Sequence, residues 1–114
     1  MFHDHTQIDQ MFHALADPAR RQMMERLSRG PASVSELAEP FDMSLSAVAQ
    51  HIRLLQASGL IASEKIGRVR TCRIEPKALR TVEQWITDRR TLWERRFDRL
   101  GDFLAGQAGT SKEK

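Results

Sequence analysis

Four capping signals cut the chain between Ile8 and Gly59 into helices too short to persist alone, and this punctuation narrows the fold more than any other feature. Ile8, Met11, Phe12 and Leu15 fall at i, i+3, i+4 and i+7, one apolar stripe on a short first helix. Asp17-Pro18 stops that helix and starts the next, since Asp17 can cap and Pro18 suits a first helical position that needs no N–H. Met23, Met24 and Leu27 carry the second stripe, which Gly30-Pro31 ends. Ser33-Val34-Ser35-Glu36 has the form of a capping box, so a third, brief helix is expected from Val34 to about Pro40. Ser44 caps the fourth, with Met43 and Val48 as its hydrophobic staple and Leu45, Val48, Ile52 and Leu55 as its stripe; Gly59 closes it.

Past Gly59 the period changes. LIASEK and VRTCRI alternate and join through Ile66-Gly67-Arg68, which predicts a β-hairpin with a basic tip. Helical spacing returns at Pro76 and persists to about Ala105, with Leu79, Val82, Ile86, Trp93, Phe97, Leu100 and Leu104 on one side. Such a helix, roughly 30 residues and about 45 Å long, exceeds what a small body can cover. Trp85, Leu92 and Phe103 widen its apolar surface, so part of it is expected to meet a second subunit. Residues 1–105 therefore read as one domain, and the small polar stretch over 106–114 as a disordered tail.

Composition sets outer limits. A length of 114 residues suits one domain, and an apolar share of 40% without long apolar runs excludes a membrane-spanning helix. The opening MFHDHTQIDQ has no Lys or Arg and no apolar core, so a cytosolic protein is expected. One cysteine, Cys72, allows no disulfide and no multi-cysteine metal cluster within the chain. The net charge of +3 permits a nucleic-acid partner, and its distribution says more: residues 1–16 hold Asp4 and Asp9 without a Lys or Arg, whereas residues 65–73 hold Lys65, Arg68, Arg70 and Arg73 without an acid.

Two short helices joined by a tight turn near Asp42-Met43, followed by a basic hairpin, make a winged helix-turn-helix: mainly α, five helices and a two-stranded β-hairpin wing. In that frame SLSAVAQHI, residues 44–52, acquires a reason for carrying no charge. The second helix of such a unit brings its N-terminal residues to base edges in the major groove, while wing and helix ends hold phosphates. At 100° per residue Ser46, Gln50 and Arg53 point away from the Val48/Ile52/Leu55 stripe, with Ala47 and His51 on the flank. Gln50 has the amide geometry for adenine, His51 can donate to a base or phosphate, and Ala47 can touch a thymine methyl. Each feature alone is ordinary surface; their order along the chain gives them meaning.

The segments LADPARRQMMERL, VSELAEPFDMSLSAVAQHIRLLQASGLI and IGRVRTCRIEP resemble those of the ArsR/SmtB-type bacterial transcriptional repressors, over roughly residues 8–104. The resemblance implies a homodimer, paired through first and last helices, on an inverted-repeat operator in double-stranded DNA. Ser44, Ser46, Ala47, Gln50 and His51 match the family's recognition helix, and Arg68 and Arg70 its wing. The pairing helices carry Ile8, Met11, Phe12, Trp85, Trp93, Phe97 and Leu100 here. Metal-sensing relatives bear Cys-Val-Cys where this chain has Ser33-Val34-Ser35, and serine hydroxyls cannot replace thiolates. Others bind zinc or nickel through a last-helix site with histidine, and no His follows His51. Relatives without these metal sites and with a tryptophan-bearing last helix are most similar, and these commonly repress their own operon.

No metal ion or other cofactor is expected. His3-Asp4-His5 could chelate a metal, Cys72 reads as a small buried filler that alternates with Ile74, and Trp85 and Trp93 read as interface core before ligand pocket. A small-molecule effector of unidentified chemistry stays open as a partner. The rival readings are a metal- or redox-responsive sensor of the same fold and a winged-helix module that binds protein. An enzyme has less support, because no paired carboxylates, phosphate loop or nucleophile–base pair stands out.

Overall fold

A computed structural model describes the backbone of residues 2–112 and the side chains of residues 7–106. The elements run α1 (Phe2–Leu15), α2 (Pro18–Leu27), β1 (Ala32–Ser33), α3 (Val34–Ala38), α4 (Leu45–Ala57), β2 (Ile61–Ile66), β3 (Val69–Ile74) and α5 (Pro76–Lys112). The chain up to Val82 is one compact unit, and the stretch from Glu83 is a second.

The caps form as their local sequence dictates. Arg20 N–H donates to Asp17 Oδ2 at 3.1 Å, with Pro18 at the head of α2. Both halves of the capping box close: Glu36 N–H donates to Ser33 Oγ at 3.1 Å, and Ser33 N–H to Glu36 Oε1 at 2.8 Å. Ala47 N–H donates to Ser44 Oγ at 3.1 Å. Each contact satisfies a donor that the first helical turn leaves without a partner.

The backbone and hydroxyl of Ser33 hold the Glu36 carboxyl below its ordinary pKa, with help from Arg26 at 3.7 Å. A depressed carboxyl pKa contributes stability above the unfolded value, and that contribution drains away as the pH falls through the folded value. Glu36→Gln keeps a capping-box residue but removes the titration. The wild-type chain is therefore expected to lose more stability than Glu36→Gln between about pH 5 and pH 3, as thermal melts across that range will show.

The sheet has a third strand that the hairpin pattern does not announce. Its order is β1-β3-β2, all antiparallel, with Ala32 opposite Cys72 and Ile61 opposite Ile74. A two-residue strand is too short to leave an alternating signature in sequence. At the hairpin turn Gly67 takes φ 64° while, among the described residues, none other than glycine has positive φ, the arrangement that favours glycine at the first turn position. Cys72 is fully buried, and burial pushes its thiol pKa up.

Met11, Met23, Leu37, Val48, Leu55, Leu60 and Cys72 are the largest fully buried side chains. Of the α1 residues expected at a subunit contact, Met11 is 0% exposed and Ile8 8%, so both pack into the chain's own core, while Phe12 is half-buried. Leu45 corrects the expected α4 stripe, since it is 65% exposed although it shares that spacing. The neighbours of α4 cover it from Val48 onward and leave its first turn bare. The helix α5 continues past Ala105, with no proline to stop it. His3-Asp4-His5 and nearly all of the expected tail fall outside the residues with described side chains.

Candidate nucleic-acid interface

The burial pattern of α4 fixes which way the helix faces. Val48, Ile52 and Leu55 are 0%, 3% and 0% exposed, and this buried stripe leaves Ser46, Gln50 and Arg53 in solvent on the other side. Ser44 is exposed as the cap, and Ala47 is half-buried on the flank. The exposed part of the first turn is thus two serines around Leu45, with no charged side chain to hold a partner at a distance. Leu45 belongs to this surface, which stripe membership alone hides; its place in the first turn, ahead of the covered residues, is the signal that could have found it.

His51 departs from a simple outward-facing contact. It is half-buried, and Arg20 Nη1 lies 3.1 Å from its Nδ1. Arg20 itself is 7% exposed and also donates Nε–H to Ala14 O at 2.6 Å and Nη2–H to His13 O at 3.1 Å. One guanidinium thereby ties the end of α1 to α2 and α4. Its charge is met by the carbonyl end of the α1 dipole and by Asp17, whose carboxyl is held below its ordinary pKa first by the Arg20 N–H and then by the Arg20 charge.

The wing adds the cations. Arg68 is exposed at the tip beside Gly67, and Lys65 and Arg70 are exposed and paired across the hairpin. Arg70 Nη1 donates to Ser63 Oγ at 2.8 Å, so its side chain is braced along the strands. Arg73 faces Glu75 at 3.4 Å, which offsets part of its charge. The unit ending at Val82 therefore combines an uncharged, small-residue helix turn with exposed cations on a wing, a division suited to base edges on one and phosphates on the other.

In the second unit the side chains of α5 remain uncovered. Trp93, Phe97, Leu100 and Leu104 are 59%, 53%, 52% and 53% exposed along one side of the helix. Trp93 and Phe97 meet edge to face at 4.7 Å. Trp85 is half-buried with the Arg89 guanidinium 4.3 Å over its ring.

The profile of a family described as a helix-turn-helix domain matches residues 15–64, from the end of α1 into β2. The HTH-type transcriptional regulator Rv2034 of Mycobacterium tuberculosis is 36% identical over 87 residues, which span 76% of this chain and 78% of that protein. The crystal structure of an ArsR family transcriptional regulator superposes with a TM-score of 0.74 at 53% identity, over 78% of this chain and 92% of that one. A homodimeric winged helix-turn-helix DNA-binding domain of Mycobacterium bovis shares the fold, with a TM-score of 0.60 at 24% identity over 76% of this chain and 82% of that domain.

Proposed function

The chain belongs to the ArsR-type family of winged helix-turn-helix transcriptional regulators, a DNA-binding class, and from that premise we propose that it represses transcription as a homodimer on an inverted-repeat operator. The observation that carries this reading is the exposed, uncharged first turn of α4 beside a cationic wing. Ser44, Ser46, Ala47 and Gln50 meet the major groove, Gln50 reads adenine, and Leu45 touches a thymine methyl. Arg53, Arg68 and Arg70 hold phosphates. Dimer geometry sets the half-sites about one helical turn, ~34 Å, apart. The protein works in the cytosol, where its operator is, and catalyses no reaction.

Among the described residues, no three His, Cys, Asp or Glu side chains gather where they could hold a metal ion. Ser33, at the position of a family thiolate, is occupied as a helix cap. Release from DNA, in this reading, does not run through a metal site of the usual family kind. Divalent metal salts are expected to leave the protein–DNA complex intact, and stoichiometric release by one of them would overturn that part. A redox switch at Cys72 is disfavoured by the same structure, because a fully buried thiol with a raised pKa lacks the exposure and thiolate character that sensing needs.

The direct test is titration of duplex DNA from the region upstream of the gene against a scrambled duplex, at several salt concentrations. Tighter binding to the first, declining log-linearly with salt, is expected from counterion release. Equal affinity for both duplexes would remove sequence-specific reading. Within that assay Gln50→Ala is expected to cost roughly 1–3 kcal/mol on the upstream duplex and little on the scrambled one. Arg68→Ala is expected to weaken both together and to lower the salt slope by about 1, and an unchanged slope would take the wing tip off the phosphates.

A further inference from the structure

The contact between Arg20 and His51 joins residues 31 apart in sequence, and the chemistry of its two partners fixes more than position. A guanidinium has five N–H donors and no acceptor, so the Nδ1 of His51 that faces it must accept and carries no proton. The ring hydrogen of the neutral imidazole is then on Nε2. Among the described residues Nε2 makes no hydrogen bond, and no buried side-chain nitrogen or oxygen there lacks a partner, so Nε2 is open to solvent. It sits on the flank of α4, one turn from Ala47 and next to Gln50 in sequence.

We propose that Arg20 is a positioning residue for DNA recognition: by donating to His51 Nδ1 from its three-helix junction, it presents His51 Nε2–H as a fixed donor to an acceptor on the duplex. The proposal rests on the DNA-binding reading above and deepens it. Arg20 does not touch DNA; it is 7% exposed and acts through the imidazole. The junction suits that task because Nε and Nη2 are anchored on the last carbonyls of α1, which leaves Nη1 little freedom. Lysine, with a single ammonium on a flexible stem, cannot hold two carbonyls and a ring nitrogen in one plane. Asp17, which caps α2 and whose carboxyl accepts from Arg20 N–H and feels the Arg20 charge, steadies the cationic side of the pair.

Two measurements test this. In long-range 1H–15N spectra of the imidazole at about pH 8, above the ordinary histidine range, His51 of the free wild-type protein is expected as a single Nε2–H tautomer. The Nδ1–H form, or a mixture, would overturn the proposal. This readout needs neither DNA nor a variant, so it stands apart from any failure of the DNA-binding reading, which would show as wild-type protein that ignores the upstream duplex. The second is a double-mutant cycle on that duplex. Arg20→Lys, which keeps the charge, is expected to weaken binding about tenfold, the scale of one lost hydrogen bond, and to have no further effect once His51→Ala is in place. The same loss in both backgrounds would show Arg20 to be merely structural and would refute the relay. Loss confined to the upstream duplex puts the acceptor on a base edge, and equal loss on scrambled DNA puts it on a phosphate; either supports the proposal.

Discussion

A chain carrying Trp93→Asp and Phe97→Asp is expected to sediment as a monomer and to bind its operator roughly a hundredfold or more weakly, because linked half-site binding is lost. The starting point is the uncovered row of Trp93, Phe97, Leu100 and Leu104 on α5, each more than half exposed. Apolar side chains scattered on a surface need no explanation, but four in line at helical spacing, with Leu92 and Phe103 beside them at 49% and 61%, are the face that the proposed homodimer would cover. A second copy of the chain brings the same row, and a two-fold axis makes a surface complementary to itself. A carboxylate at either position would have to leave water when the subunits met. Sedimentation velocity and operator titration on the double variant decide the matter. A variant that stays dimeric would place the contact elsewhere, and one that becomes monomeric yet binds normally would separate dimerisation from DNA recognition.

Leu55→Ala is expected to destabilise the fold by about 2–5 kcal/mol, whereas Leu45→Ala, on the same helix, is expected to change stability by less than about 0.5 kcal/mol. Leu55 is 0% exposed and Leu45 65%, so the first substitution opens a cavity under α4 and the second removes atoms already in water. Against a total of about 5–15 kcal/mol for a typical domain, the Leu55 loss is large. It also bears on the proposed function, because Val48, Ile52 and Leu55 are the buried side chains that leave the opposite face of α4 in solvent. Denaturant melts at one fixed protein concentration will compare the two variants, since the stability of a dimer depends on concentration. The DNA assay is expected to reverse their order per unit of stability lost: Leu45→Ala, nearly silent in the melt, should still weaken operator binding if its side chain meets a thymine methyl.

Much of the architecture was legible because its causes are local. Asp17, Ser33 with Glu36, and Ser44 each cap a helix through a hydrogen bond spanning three residues, and a reader of the sequence sees both partners at once. The change from helical spacing to alternation at Gly59, and back at Pro76, is equally local and marks the wing. The candidate recognition surface followed from these same signals, since a cap and a stripe together orient a helix.

Other features required partners that the sequence does not place side by side. The two-residue strand β1 exists because Cys72 and Thr71 pass alongside Ala32 and Ser33. Whether an apolar stripe meets its own core or a second subunit is likewise a question of what lies opposite: Met11 is covered within the chain and Phe97 is not, though both sit at helical spacing. His51 was visible as a flank residue of a recognition helix, but its acceptor role at Nδ1 depends on a guanidinium brought from α2 and braced on α1. The sequence by itself therefore determined where α2 to α5 start, the wing and the uncharged first turn of α4, because caps and periodicities act over a few residues of backbone. Tertiary structure alone decided which stripes are spent on the core, where the third strand pairs and how the imidazole is turned, because those depend on side chains that only folding brings within hydrogen-bond or van der Waals reach.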